Sequence, residues 1–333
     1  MGYLTPRCFL GLAEACTKQA APRTVPTRCI SIGLCENQRI ESLGENVAPG
    51  NSREPPVSHR LRSGPRSEEI GEAIRARAKA APLQTVGLER LHLTIAYDGR
   101  TFAGWQSQPN RNGVQDHIEA ALGKVLDRPA KVHGAGRTDA GVHALAQAAH
   151  VDVPAKRFPT STWRVALNAN LSSGIRIIGC RRVSSEFHAR FSAKGKVYRY
   201  RVWNAETFHP LEVGRAWHVP QRLGVDDLMI YAGFFCGRRD FASFAANRGV
   251  PPETTVRNLQ EIKVRRHGSL VTLEFSGDGF LYRMVRMITG SLVQVALGRK
   301  DKDWLLELLH APGRNKTNHT APAEGLYLVR VLY

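Results

Sequence analysis

Apolar and polar residues follow a regular pattern only from about residue 88 onward. Leu91, Leu93, Ile95 and Tyr97 alternate with polar or small residues, which predicts a strand that ends at Asp98-Gly99. Further strands are predicted over 142–153, 175–183, 196–204 and 325–333, with a hairpin over 259–275 that turns at 266–268. Helical spacing predicts helices over 115–126, 162–171, 225–235, 281–297 and 302–310. Mixed helices and antiparallel strands predict the α+β class.

Residues 1–86 have a different composition. They contain no Asp, include Pro-, Ser- and Arg-rich stretches, and have too few apolar residues to build a core. We expect a disordered or targeting extension over 1–86, in which 67–81 could form a short helix. A transit peptide, a segment without function and a misplaced start codon all remain open. The remaining chain is expected to form an N-terminal catalytic half, 87–195, and a C-terminal half, 196–333, that completes the cleft.

The charge is unusual for its distribution as well as its size. The net charge is +18, and 1–86 holds 12 basic and 8 acidic residues, so 87–333 carries 35 − 21 = +14. A folded region this basic favours a polyanionic partner, with nucleic acid ahead of a membrane surface. A solvated basic surface is the alternative. The chain has no run of 18 apolar residues, which excludes a membrane-spanning protein.

One segment of the chain, residues 134–144, has the composition of a specialised loop. Its sequence is GAGRTDAGVHA, with three glycines in eight residues, which predicts unusual backbone angles or close approach to a ligand. Val142-His143 replace the Lys-Ser/Thr of a phosphate-binding loop, and the glycine spacing does not fit a dinucleotide fold. The loop therefore presents Arg137 and Asp139, although a lone Asp in a loop is usually an ordinary turn residue.

The predicted helix 281–297 has apolar residues over a wide arc and no acidic residue. Such a helix should be largely buried. Arg286 lies within this arc, and a buried guanidinium needs a carboxylate or phosphate partner. The alternative is an Arg286 side chain that extends to solvent along the helix.

Cysteines and histidines give little sign of a metal site. The six cysteines include no Cys-x-x-Cys pair, and the spacing of His133, His143 and His188 fits no compact zinc motif. We interpret these histidines as structural or RNA-contacting residues. An esterase or nucleotidase is disfavoured, since the chain lacks Gly-x-Ser-x-Gly and a complete Walker motif.

An ordered set of motifs resembles the tRNA pseudouridine synthase A (TruA) family over about residues 88–333. The set comprises Tyr97-Asp98-Gly99, Gly104-Trp105-Gln106, Gly113-Val114-Gln115, Gly136-Arg137-Thr138-Asp139-Ala140-Gly141-Val142-His143, Leu167-Asn168, Phe187-His188-Ala189-Arg190-Phe191-Ser192, Tyr198-Arg199-Tyr200, Asp240-Phe241-Ala242-Ser243-Phe244, Met284-Val285-Arg286 with Gly290, and Thr320-Ala321-Pro322 with Glu324-Gly325-Leu326-Tyr327. Two positions depart from the family pattern: Arg239 stands where His is frequent, and Ala323 where Pro is frequent.

The resemblance implies a pseudouridine synthase fold, with two similar α/β halves around a central mixed or antiparallel sheet and the active cleft between them. It implies isomerisation of uridine to pseudouridine at positions 38–40 of the tRNA anticodon stem-loop. The implied partners are tRNA and a second copy of the chain, with no cofactor, metal or membrane. A bacterial cytoplasmic location is expected, or a mitochondrion or plastid if the extension is a targeting segment.

The resemblance also implies the site residues. Asp139 would be the nucleophile, Arg286 its ion-pair partner, and Arg137 a residue for base flipping or a backbone contact. Tyr198 would bind the extruded base. The sequence does not decide whether Asp139 attacks the base or the sugar. A non-catalytic RNA-binding protein on the same scaffold is the alternative, but it should have lost the nucleophile.

Overall fold

The computed structural model describes residues 87–247, 249 and 252–333. The predicted extension 1–86 and its helix 67–81 lie outside these residues. The described strands are β1 Leu88–Tyr97, β2 His133–Gly134, β3 His143–Pro154, β4 Ile175–Val183, β5 Gly195–Trp203, β6 Trp217–His218, β7 Gly237–Asp240, β8 Val256–His267, β9 Leu270–Gly277 and β10 Leu326–Leu332. The described helices are α1 Val114–Leu126, α2 Thr160–Ala169, α3 Val225–Gly233, α4 Met284–Ala296 and α5 Lys302–His310.

All the described strands belong to one mixed sheet. Its order is β4-β1-β3-β10-β5-β9-β8-β7, with β2 added to β3 and β6 added to β5. Most neighbours are antiparallel, but β10 runs parallel to β3 over two residue pairs, Tyr327 with His143 and Leu328 with Ala144. The sheet is open, because β4 and β7 end its order without pairing with each other. The α+β class predicted from the sequence is confirmed.

The last strand joins the early and late parts of the chain. β10 lies between β3, which follows the glycine-rich loop, and β5, with which it pairs antiparallel. The C-terminus therefore places β5 close to that loop. The division into halves at 195/196 stays a prediction, since the sheet continues across it.

A contiguous apolar core explains why the predicted patterns form these elements. The alternating residues Leu91, Leu93 and Ile95 of β1 are fully buried, as are Ile118 and Leu122 on one face of α1. α2 packs on β4, while α3 packs on β8 and α4. Each amphipathic element thus buries its apolar face against the sheet or a neighbouring helix.

Most predicted boundaries agree with the structure within a few residues, and the differences have local causes. The predicted helix 162–171 is displaced to Thr160–Ala169, and 225–235 ends earlier, at Gly233. The predicted helix 281–297 begins only at Met284, because Arg283 has a left-handed backbone with φ of 60°. The strands β2, β6 and β7 were not predicted, since two to four residues are too few to show alternation.

Candidate active site

Asp139 lies on the loop between β2 and β3, and neighbouring backbone groups hold this loop in place. The Ala135 N–H donates to the Ala148 carbonyl at 2.8 Å, and the Trp105 N–H donates to the Thr138 carbonyl at 3.1 Å. The hydroxyls of Tyr97 and Thr138 are hydrogen-bonded at 2.8 Å. Thr138, the residue before Asp139, is therefore fixed through both its backbone and its side chain, which holds Asp139 in position.

Glycines permit the close packing of this loop. Gly104, with φ of +89°, lies so near the loop that a Cβ there would be 2.4 Å from the Thr138 carbonyl oxygen. Gly141 has φ of +80°, and a Cβ at Gly134 would overlap the Trp105 ring. Gly141 confirms the prediction of unusual backbone angles in this loop, while the close approaches at Gly104 and Gly134 are to other parts of the protein.

Arg286 lies on the first turns of α4 and contacts Asp139 directly. Its Nη1 donates to Asp139 Oδ2 at 2.9 Å, while its Nε donates to the Ala321 carbonyl at 2.8 Å. The Ala321 N–H in turn donates to the Arg286 carbonyl at 3.1 Å. The side chains of Arg286 and Asp139 are 12% and 16% exposed. The guanidinium is thus held from two sides, and the Asp139 side chain keeps part of its surface exposed.

A second guanidinium faces the same carboxylate oxygen. Arg283, the residue with the left-handed backbone before α4, places its Nε 3.9 Å from Asp139 Oδ2. The Arg283 side chain is 42% exposed and is thus more exposed than that of Arg286. The negative charge of Asp139 is therefore balanced by two cations that reach it from one end of α4.

Tyr198 lies on β5 and is almost fully buried, with its ring edge-on to Phe280 at 5.0 Å. Burial raises the pKa of Tyr198 above its usual range, and the nearby Tyr97 and the charge of Asp139 add to this effect. The hydroxyl therefore stays protonated at neutral pH. Within the part of the chain that the structure describes, no hydrogen bond engages this hydroxyl, which leaves it available to a ligand.

Asp139, Tyr198 and Arg137 line one cavity of about 520 Å³. Arg137 is exposed at its wall, and among the described residues it forms no ion pair or hydrogen bond. The structure thus brings three of the predicted site residues together at one cavity, with Arg286 behind Asp139. A cavity with a carboxylate, a phenol and a free guanidinium can bind a polar, anionic ligand.

The three histidines singled out in the sequence do not share one environment. His143 accepts from the Gly99 N–H at Nδ1, bonds the Gly214 carbonyl through Nε2 and stacks on Tyr327, which is a structural role. His133 and His188 instead lie together with His150, and one ring nitrogen from each lies within 4.8 Å of the others.

The hydrogen bonds of this histidine group do not suit a metal ion. His150 Nδ1 accepts from the Ala189 N–H at 3.1 Å, and His188 Nδ1 accepts from the Arg190 N–H at 3.1 Å. A backbone N–H can only donate, so each Nδ1 is unprotonated and each neutral ring carries its proton on Nε2. Neither nitrogen of these two rings then offers a lone pair to a metal.

Two residues at the cavity were missed by the sequence reasoning. Arg283 lies in the predicted helix 281–297, but the apolar pattern of that helix gives it no role. Lys196 lines the cavity and lies so close to Gly136 that a Cβ there would be 2.9 Å from its Nζ. Strand alternation could have found Lys196, because it lies two residues before Tyr198 and so on the same face of β5.

Comparison with known proteins agrees with this geometry. A family model described as tRNA pseudouridine synthase matches residues 93–192 and 232–333, which together are more than half of the chain. The chain belongs to this tRNA pseudouridine synthase family. The matched residues include Asp139, the motif Phe187–Ser192 and Arg286, whereas Tyr198 lies between the two matched ranges.

The chain is also similar to individual proteins named tRNA pseudouridine synthase A. It is 42% identical over 253 residues to tRNA pseudouridine synthase A of Akkermansia muciniphila, covering 74% of this chain and 96% of the relative. It is 44% identical over 249 residues to the Bradyrhizobium protein of the same name, covering 74% of this chain and 100% of the relative. The family and these relatives establish an isomerase that makes pseudouridine in tRNA. No helix among the described residues is long and apolar enough to cross a membrane.

Proposed function

We propose that this chain isomerises uridine to pseudouridine at positions 38–40 of the tRNA anticodon stem-loop, with Asp139 as the covalent nucleophile. The observation that carries the proposal is the Asp139–Arg286 pair at 2.9 Å on the wall of a cavity that also holds Tyr198. An ionised carboxylate held by a cation is both nucleophilic and fixed in position.

In the proposed reaction, all the bonds that break and form lie within one nucleotide of the substrate. The bond between N1 of uracil and C1′ of ribose breaks, the base turns, and a bond between C5 and C1′ forms. C5 loses a proton and N1 gains one, so no electrons or atoms are exchanged with a cofactor. Asp139 divides this exchange into two easier steps through a covalent adduct that it later releases.

The other residues have proposed roles that follow from their positions. Arg286 orients the carboxylate, since its guanidinium is fixed by the Ala321 carbonyl. Tyr198 supports the extruded base with its ring, and its protonated hydroxyl donates a hydrogen bond to the base or sugar. Arg137 has no partner among the described residues and lies at the cavity wall, where it fills the space left by the flipped base or contacts the RNA backbone.

The test compares wild type with Asp139→Asn, using mapping of pseudouridine in an unmodified tRNA. Wild type should modify uridines at positions 38–40, whereas Asp139→Asn should form no detectable pseudouridine because an amide is a far weaker nucleophile. Its tRNA affinity should persist, because phosphate contacts elsewhere supply most of the binding. Mass spectrometry must show that the introduced amide has not deamidated back to a carboxylate. Pseudouridine formed by this variant would exclude Asp139 as nucleophile, and modification elsewhere in the tRNA would exclude the proposed positions.

A homodimer and a cytoplasmic location, with mitochondrion or plastid as the alternative, are proposals that the family resemblance supports. Sedimentation of the full chain and its localisation in cells would test them.

A further inference from the structure

A run of aromatic rings extends along the cavity wall beyond the catalytic residues. His133 stacks on His150 with ring centroids 4.9 Å apart, and His150 meets His188 edge-on at 4.6 Å. His188 in turn lies 4.3 Å from the Phe191 ring, with 32° between their planes. We call these four residues the ring run. His133, His188 and Phe191 line the same cavity as Asp139.

The outermost ring of this run is exposed. The Phe191 side chain is 76% exposed, more than any other large apolar residue among those that the structure describes. A single exposed apolar residue is common on protein surfaces and needs no explanation by itself. Phe191 differs because its ring rests on His188 and lies at the cavity that holds the nucleophile.

The backbone holds Phe191 in this exposed position. His188 Nδ1 accepts from the N–H groups of both Arg190 and Phe191, at 3.1 and 3.3 Å. The Ser192 N–H donates to the His188 carbonyl at 2.9 Å, and the His188 N–H donates to Ser192 Oγ at 3.0 Å. A turn fixed by four hydrogen bonds presents the ring without further ordering when a ligand binds, which favours affinity.

His150 and His188, two rings of the run, are uncharged at neutral pH and therefore suited to stacking. Burial lowers the pKa of His150 to about 4, and it also lowers the pKa of His188. As argued for the metal, each of these rings keeps its proton on Nε2 at neutral pH. The exposed Phe191 face is thus backed by uncharged rings, and an exposed aromatic face is the kind of surface that binds unpaired bases in single-stranded nucleic acids.

Cations flank this surface. The Arg190 guanidinium carbon lies 5.6 Å from the centre of the Phe191 ring, and Lys131 and Lys196 line the same cavity. Within the described ranges, none of these three cations forms an ion pair. Lys196 is largely buried, and desolvation lowers its pKa, so this ammonium is placed where an anion would stabilise it. A single-stranded nucleic acid alternates bases with phosphates. A surface that combines aromatic faces with unpaired cations can therefore bind both.

We propose that the Phe191 ring, backed by His188, is a stacking platform for an unpaired base of the tRNA that flanks the target uridine. The proposal rests on the proposed function, because it needs the uridine to leave its stack and enter the cavity of Asp139. When the uridine leaves, its neighbour loses a stacking partner, and the platform replaces it. The occupant is thus a nucleobase, and Arg190 and Lys196 contact the adjoining phosphates.

The test separates the aromatic face of Phe191 from its apolar volume. Phe191→Leu keeps the volume but loses the face, whereas Phe191→Trp keeps a face. Phe191→Leu should weaken binding of an unmodified tRNA transcript about 5- to 100-fold, as loss of a base–aromatic stack does. Phe191→Trp should bind within about threefold of wild type. Because stacking acts already in the bound ground state, KM should rise while kcat changes little.

Two further variants control for the fold. Leu211→Ala removes an apolar side chain of similar exposure, 73%, that does not line the cavity, and it should leave tRNA affinity unchanged. His188→Asn places an amide oxygen where Nδ1 accepts its backbone hydrogen bonds but removes the supporting ring, and it should weaken binding less than Phe191→Leu does. Unfolding temperatures measured on all four variants show which of them are folded.

Several results would overturn the platform. Wild-type affinity in Phe191→Leu would do so, as would equal weakening in Phe191→Leu and Phe191→Trp. If Phe191→Leu changes the oligomeric state in sedimentation but not the tRNA affinity, Phe191 belongs to an interface between copies. Pseudouridine formation by wild type, measured in the same reactions, is independent of these outcomes. If it is absent, the proposed function fails; if it is present, only the platform is in question.

Discussion

At the residue scale, Arg286 determines the geometry of Asp139 through two groups of one guanidinium. Nη1 bonds the carboxylate and Nε bonds the Ala321 carbonyl, so rotation of the side chain would break one bond or the other. Arginine is suited to this position because its donors form a rigid fork, whereas lysine carries a single point charge.

We predict that Arg286→Met abolishes pseudouridine formation and also lowers stability. The loss of stability should be smaller than the about 3–5 kcal/mol of a fully buried pair, because both side chains keep some exposure. Arg286→Lys keeps the charge and should recover stability more than activity, since it cannot make both bonds. Thermal unfolding and pseudouridine assays check this. Full activity in Arg286→Met would show that Asp139 needs no positioning by this residue.

A buried histidine makes a separate prediction about acid stability. His92 is buried between the rings of Phe187 and Tyr333, at 5.3 and 5.4 Å, and neither of its ring nitrogens has a hydrogen-bond partner among the residues that the structure describes. Burial lowers the pKa of His92 to about 4, from an ordinary value of 6.5. Between these values the unfolded chain binds more protons than the folded one.

The free energy of unfolding should therefore fall as the pH is lowered from about 6.5 to about 4, and His150, whose pKa is also about 4, contributes in the same direction. His92→Phe should make this pH dependence shallower. His267→Gln, at an exposed position in β8, should leave it unchanged. Denaturant unfolding at a series of pH values measures the slopes. Equal slopes in wild type and His92→Phe would refute the assignment.

At the scale of elements, the active site depends on how α4 meets the segment before β10. Gly290 lies in α4, and a Cβ there would be 2.2 Å from the His319 carbonyl oxygen and 3.1 Å from the Ala321 nitrogen. The missing side chain lets the backbone of this segment approach the helix. That approach positions the Ala321 carbonyl that holds Arg286.

Gly290→Ala should therefore destabilise the protein by about 1–3 kcal/mol, as overpacking does, and reduce pseudouridine formation. Gly123→Ala is the matched control, because Gly123 lies in α1 and, apart from the backbone of its own helix, the nearest atom to an added Cβ among the described residues is the Arg128 carbonyl oxygen, 3.9 Å away. This control should be stabilised by about 0.5–1 kcal/mol through helix propensity. Denaturant unfolding and an activity assay compare the two. A Gly290→Ala protein as stable as Gly123→Ala would show that the segment can shift at little cost.

The bounds of individual elements show where the local sequence pattern predicts the structure and where it does not. The bounds of β4 and α5 are those predicted, because both have full periodic patterns and clear ends. The start of α4 was misplaced by three residues, since nothing in the apolar pattern reveals the left-handed backbone of Arg283. That backbone conformation places a second guanidinium 3.9 Å from Asp139 Oδ2.

At the scale of the whole molecule, the charge of +14 over residues 87–333 should govern association with tRNA. If the protein contacts about five to eight phosphates, tRNA affinity should fall roughly a hundredfold or more between about 50 and 200 mM salt. Lys131→Gln, at the cavity, should reduce the slope of log affinity against log salt by about one. Lys263→Gln should not, because that lysine is paired with Glu261. Titrations at several salt concentrations test this, and a nearly flat wild-type affinity would contradict the electrostatic interpretation.

The sequence by itself determined the α+β class, most elements and the constrained backbone of the loop 134–144. Alternation and helical spacing are local properties, and glycines around Asp139 signal a constrained backbone wherever the loop lies. From periodicity alone, Arg286 could be paired or extend to solvent, and the family resemblance implied Asp139 as its partner. The tertiary structure shows the two side chains in contact, although they lie 147 residues apart in the chain. It also decided that β10 joins β3 to β5, and that His150, unremarkable in the sequence, completes the ring run beneath Phe191. Such contacts depend on how elements pack on one another, and no spacing within a single element encodes them.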